Sequence, residues 1–215
     1  MYDYGSVSQR QYGPARVLPS FFLSLLIGTI GLYAGQFVPG AFFLPLSIIE
    51  VVMIFAATFM RRRRAVGFAF VYTFTFISGM TLFPIVYNFA YQYGIDIIYR
   101  AFLVTVIAFG GAAAYAAISK ANFNFLGGFL FMGVLALVGM GIVNIFIPFS
   151  TQAEMIYSVI GILIFIGYVL FDVSRIARYG VAQEDVPLVV LSLYLDFVNL
   201  FIFILRFFGV SLRRD

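Results

Sequence analysis

The sequence predicts an all-α membrane protein, a seven-transmembrane-helix bundle with the C-terminal helix at its centre. Three observations carry that prediction. First, 63% of the residues are hydrophobic and only 10% are charged, with a mean hydropathy of +1.06. A soluble domain carries roughly 25% charged residues, so lipid rather than a buried core is the solvent these side chains fit. Second, seven apolar stretches each approach the ~20 residues needed to cross the hydrocarbon. Third, the last stretch bears a regular polar stripe that includes charged residues, which must face inward.

The elements follow in order. Residues 1–16 are polar and irregular, and are expected to form a cytoplasmic N-terminal tail. Residues 17–215 are expected to form a single seven-helix transmembrane domain. The first run, 17–38, is too long for a signal-peptide core and lacks a small-residue cleavage site, which favours an uncleaved helix. The others are placed at 41–60, 66–88, 100–119, 124–146, 155–176 and 187–210. Val38–Pro39–Gly40 marks the first turn and Ile147–Pro148–Phe149–Ser150 the end of the fifth span. Glu184–Asp185 before Val186–Pro187 suits a helix start, because acidic groups favour the N-terminus and Pro fits the first turn. Gly31 and Gly35 in the first span, Gly110–Ala114 in the fourth, and Gly133, Gly139 and Gly141 in the fifth are expected to mark close helix contacts.

Charge sets the orientation. With the N-terminus inside, Arg10, Arg16, Arg61, Arg62, Arg63, Arg64, Lys120, Arg175 and Arg178 fall inside, against Arg100, Arg213 and Arg214 outside. Nine against three predicts a multi-pass protein of the cell membrane, its N-terminus cytoplasmic and its C-terminus outside. With fourteen Tyr and no Trp, the interfacial belt must rely on Tyr and Arg.

The chain has neither His nor Cys. That excludes a Ser–His triad, a thiolate nucleophile and a His- or Cys-ligated zinc. No extended basic face suggests nucleic acid. No cofactor is expected, and the expected partners are the lipid bilayer, protons and a cation. Chemistry therefore rests on carboxylates within the apolar stretches. A carboxylate at bilayer depth costs about 2.5–3.5 kcal/mol on the insertion scale. Asp196 lies ten residues into its helix, roughly 15 Å deep, and Glu50 lies at a similar depth. Asp172 is nearer the inner end of the sixth span.

Ser192, Asp196, Asn199, Phe203 and Arg206 recur at intervals of three and four, making the stripe of the last helix. Thr75, Ser78 and Thr81 form a second stripe, for which back-bonding to the helix is the simpler reading. Arg206 is open to snorkelling, Asp172 to a routine ion pair with Arg175 at i+3, and Glu50 to a protonated packing role. Asp172 and Asp196, on consecutive helices, are the candidate proton sensor and ion-binding pair. Two adjacent carboxyls cannot both ionise cheaply and titrate in coupled steps. Their oxygens also suit Ca²⁺ as a metal ligand set. Arg61 closes the second helix at the same side and is the candidate gate, a latch onto Asp172. Glu50, Ser192, Asn199 and Arg206 are the supporting polar residues.

LYLDFVNLFIFILRFFG (193–209), preceded by a helix ending in FDVSRI, resembles the C-terminal signature of the transmembrane Bax inhibitor motif family. The D-T-Q usual after the sixth helix in that family keeps its Asp as Asp172, while Val173 and Ser174 replace Thr and Gln. The resemblance implies a seven-helix bundle with a central last helix and a pH-sensing aspartate pair, carried here onto Asp172 and Asp196. It also implies a Ca²⁺ leak, channel or transporter, serving calcium homeostasis. Two other readings compete. An intramembrane aspartyl protease would place two Asp on these helices, but needs Gly where Leu193 and Leu195 stand. A non-transporting membrane scaffold would use the buried charges only to fix helix register.

Overall fold

The computed structural model describes residues 11–61, 66–119 and 121–213, without the side chains at 11, 12, 14, 16 and 58–61. A two-residue strand β1 (Gln11–Tyr12) is followed by helices α1 (Pro14–Gly35), α2 (Phe43–Arg61), α3 (Phe68–Tyr93), α4 (Asp96–Ile118), α5 (Leu126–Phe146) and α6 (Thr151–Tyr179). A second two-residue strand, β2 (Val181–Ala182), and a 3-10 turn over Gln183–Asp185 lead into α7 (Val186–Leu212). All seven helices are long and apolar enough to cross a membrane, so the protein is a multi-pass α-helical membrane protein.

The contacts at the two ends fix the topology. β1 pairs antiparallel with β2, Gln11 opposite Ala182 and Tyr12 opposite Val181. At the same end Arg178 Nε donates to the Ala121 carbonyl at 3.2 Å, and Asn124 Nδ2 donates to the Tyr179 hydroxyl at 3.2 Å. At the other end Arg213 Nε donates to the Tyr93 hydroxyl at 2.7 Å, and its Nη1 meets Glu154 Oε2 at 3.0 Å. The described chain thus enters at one end and leaves at the other, as an odd number of crossings requires. The hydrogen bond to Tyr93 raises the pKa of Arg213 above its ordinary value, so this cation keeps its charge throughout the physiological range. Of the charges used for orientation, Arg10, Arg62, Arg63, Arg64, Lys120 and Arg214 lie outside the described residues, as do the side chains of Arg16 and Arg61.

Several boundaries differ from the sequence expectation, each for a local reason. α3 runs to Tyr93 rather than residue 88 because Pro84 is accommodated inside the helix, and the stop is Gly94, whose φ of 86° favours glycine. α6 begins at Thr151, where Ser150 Oγ caps the Ala153 N–H at 3.3 Å. Its polar first turn, which includes Glu154, lowers local hydropathy. The expected irregular tail over 1–16 is corrected at its end. Residues 11 and 12 pair with β2, and α1 already starts at Pro14, a favoured first helical position. Gly180, with φ 66°, turns the chain out of α6 into β2.

α7 is the central helix, packed against α1, α3, α4 and α6. Val190, Tyr194, Leu200 and Leu205 are buried, and the helix ranks as the most buried of the seven. Glycine brings α1 and α3 together. A Cβ on Gly31 would strike the Phe76 carbonyl, and one on Gly79 the Gly28 carbonyl. The small residues of α4 and α5 divide. Gly133 abuts Ile164 and Gly141 abuts the Tyr157 hydroxyl, but Gly110, Gly111 and Gly139 have open space beside them. The expectation of a contact there is corrected, because a small residue facing lipid is as admissible as one facing a helix. Tyr33, Tyr87, Tyr91 and Tyr99 are exposed towards the C-terminal end, and Tyr115 and Tyr179 towards the other, as a tyrosine belt at each interface requires.

Candidate functional site

Asp172 comes from the last third of α6 and Asp196 from the first half of α7. The 3-10 turn reverses the chain between them, so the two helices run antiparallel side by side. Ser192, one turn before Asp196, donates its hydroxyl to Asp172 Oδ2. One helical turn is about 6 Å, so this bond brings both carboxyls into one neighbourhood. Tyr168 stands one turn before Asp172 on α6.

The two carboxyls have unlike surroundings. Asp172 is half-buried and lines a cavity of about 730 Å³ at the N-terminal end, with Ala57 of α2, Arg175, Asp185, Ser192 and Leu195. Asp196 is only 4% exposed, and its Oδ2 has no protein hydrogen-bond partner among the described residues. A buried carboxylate oxygen without a protein donor is rare. The Arg175 guanidinium lies over the Phe171 ring, 5.2 Å from the centroid.

The other predicted residues distribute away from the pair. Glu50 of α2 accepts from Thr81 Oγ1 of α3 at 2.6 Å, which makes it a separate polar link between those helices. Thr75 Oγ1 donates to the Tyr72 carbonyl at 3.1 Å, so this member of the α3 stripe is back-bonded. Thr81 instead directs its one proton to Glu50, and its oxygen lies 3.0 Å from the Ser78 carbonyl. Asn199 Nδ2 donates to the Leu195 carbonyl at 2.8 Å and so serves its own helix. Arg206 lies over the Tyr157 ring at 6.0 Å and lines a second cavity, of about 320 Å³, at the C-terminal end. Arg61 ends α2 one turn beyond Ala57, a cavity-lining residue, but its side chain lies outside the described residues.

Sequence reasoning did not assign Tyr168 to the pair, although its i, i+4 spacing to Asp172 was available as a signal. Tyr194, whose hydroxyl donates to the Thr75 carbonyl at 3.1 Å across 119 residues of chain, gave no comparable signal.

Two carboxyls, one serine hydroxyl and an open cavity can bind a hard cation with few protein oxygens. Among the described residues no group of three or more acidic, His or Cys side chains is placed to hold a metal ion. Ca²⁺ takes six to eight oxygens, so a two-carboxylate site must leave much of its shell to water. Such a site would hold a cation weakly. Ser192→Ala is expected to shift the proton titration of the pair while leaving the fold intact. Removing one neutral donor costs about 1 kcal/mol, or somewhat more because the acceptor is charged. An infrared titration of the carboxyl bands, compared with wild type, checks it.

The chain matches the family described as "Inhibitor of apoptosis-promoting Bax1" over residues 12–213. It is 31% identical over 195 residues to an uncharacterized protein of Campylobacter jejuni, covering 86% of this chain and 83% of that protein. It is 34% identical over 150 residues to Bax inhibitor 1 of Schizosaccharomyces pombe, covering 69% of this chain and 54% of that relative. The Golgi anti-apoptotic protein of vaccinia virus is 29% identical over 162 residues, covering 75% of this chain and 66% of its own.

Proposed function

The chain belongs to the Bax inhibitor-1 family, and from that premise we propose that it is a pH-sensitive Ca²⁺ leak, channel or transporter, of the cell membrane, gated by the Asp172–Asp196 pair. The observation that supports this most is Asp196 Oδ2, a buried carboxylate oxygen with no protein donor. Protons and Ca²⁺ compete for such an oxygen, since a carboxylate must be deprotonated to ligate a metal. One site can therefore both sense pH and pass the ion. The N-terminus is read as cytoplasmic and the C-terminus as outside, so the larger cavity and Asp172 face the cell interior. The names of the yeast and vaccinia relatives speak of cell death; that role is not carried over to this chain.

A non-enzymatic role is also favoured by the backbone. α7 is continuous helix through Leu193, Leu195 and Asp196, so no backbone amide beside the carboxyl is free to hold a peptide substrate.

The direct test is Ca²⁺ flux into proteoliposomes across about pH 5 to 8, where coupled carboxyls can titrate. Wild type should give a pH-dependent flux, and Asp172→Asn should flatten its profile. Wild-type vesicles that pass no Ca²⁺ at any pH would remove the leak reading. The latch is tested in the same assay. Arg61→Ala is expected to raise flux most at the upper end of this range, where Asp172 is ionised and a latch onto it can close. An unchanged flux and profile would exclude a latch at Arg61.

A further inference from the structure

The stripe of α7 that carries Asp196 has one apolar member. Phe203 stands two turns beyond Asp196, about 10 Å along the axis, and less than one turn before Arg206. It is buried, and its ring is flanked by Tyr157 at 5.3 Å and Phe165 at 5.7 Å. The column continues at both ends. Phe149 lies 5.6 Å from Tyr157, and Tyr168, one turn before Asp172, lies 6.0 Å from Phe165. Gly161 provides the notch for this ring, because a Cβ there would fall on the Phe203 side chain. One cavity reaches Asp172 and Ser192 from the N-terminal end, and the other reaches Arg206 from the C-terminal end. Phe203 lies on the helix between them.

We propose that Phe203, seated against Gly161, is the hydrophobic plug that separates the C-terminal cavity from the aspartate pair and sets whether a cation crosses. The inference rests on the leak reading and adds the barrier that such a leak needs. Carboxylates alone attract a cation from both ends and cannot hold it back. A packed aromatic constriction can, because water leaves it and a hydrated ion then has no shell to cross in. The aromatic column also joins the barrier to the sensor, since Tyr168, one turn before Asp172, packs on Phe165, which packs on Phe203.

The chain contains no cysteine, so one introduced at this position is its only thiol. Phe203→Cys is expected to raise Ca²⁺ flux in proteoliposomes about tenfold, equivalent to ~1.4 kcal/mol off the crossing barrier. Treatment with a benzyl thiosulfonate, which restores a phenyl ring by a disulfide, should return flux towards the wild-type rate. A co-entrapped dye should be retained throughout. Flux equal to wild type in Phe203→Cys, with Asp196→Asn still altering it, would overturn the plug and leave the leak intact. Raised flux that benzylation does not lower, or that is accompanied by dye loss, would also overturn it. If neither wild type nor Phe203→Cys passes Ca²⁺, the leak reading fails and the plug with it.

Discussion

Replacing Asp196 by Asn is expected to lower Ca²⁺ flux by about 100-fold, the upper end of what losing even an outer-shell partner does to metal sites. Asn keeps the shape and removes the charge. At this position the charge is nearly all that the residue offers, since Asp196 is 4% exposed and its Oδ2 receives no protein hydrogen bond. The sign of the pH effect follows from competition. Ca²⁺ needs the ionised carboxylate, so occupancy of the pair rises with pH in wild type and becomes insensitive to this group in Asp196→Asn. Loss of folding does not offer an alternative explanation. A neutral amide is easier to bury than a carboxylate, so the melting temperature should hold or rise. Asp172→Asn provides the contrast. Its carboxyl lines an open cavity and accepts from Ser192, so its loss should alter the pH profile more than the maximal rate. Equal, full flux in wild type and Asp196→Asn, at every pH, would show that the ion does not pass this carboxylate.

The nearness of Asp172 and Asp196 was legible because charge inside an apolar stretch is costly and therefore informative, and because consecutive spans run antiparallel. That α6 and α7 also pack together is shown by the structure. The central placement of α7 was legible for a related reason, since a polar stripe cannot face lipid. What the sequence withheld has its own physical logic. Hydropathy averages over a window, so it hides polar first turns such as Thr151–Glu154 and the Tyr-rich end of α3. Back-bonding makes Asn199 look functional at helical spacing, when its amide is satisfied within one turn of its own helix. For Thr75 the back-bond was the reading the sequence favoured. Partners far apart in sequence are invisible when one of them is backbone. The Tyr194 hydroxyl on the Thr75 carbonyl is one case, and β1 on β2 another. Glu50 was correctly found as an intramembrane acid, but only the structure assigns it to Thr81 rather than to the pair.

Gly79→Ala should destabilise the bundle by about 1–3 kcal/mol, towards the upper end, because what the new methyl meets cannot move aside. Its Cβ would strike the Gly28 carbonyl oxygen and lie 2.8 Å from the Leu32 backbone nitrogen. Both are helix backbone. Gly31, facing the other way, would strike the Phe76 carbonyl, so α1 and α3 approach too closely for any side chain between them. In lipid no excluded water pushes helices together, and the contact depends on dispersion across that short distance. Separating the two helices by the width of a methyl group forfeits it. Gly111→Ala is the control. Open space adjoins that glycine, and alanine is the better helix former by about 0.8–1.0 kcal/mol in water. Thermal unfolding in detergent should therefore fall for Gly79→Ala and stay level or rise for Gly111→Ala. The effect should also reach the site. Thr75, one turn before Gly79, holds the Tyr194 hydroxyl through its carbonyl, and Tyr194 is two residues from Asp196. A displaced α3 pulls on α7 at that level, so Gly79→Ala should change the pH profile of Ca²⁺ flux as well as the melting temperature. If the two glycine variants melt alike, the α1–α3 approach is not what holds α3 against the central helix.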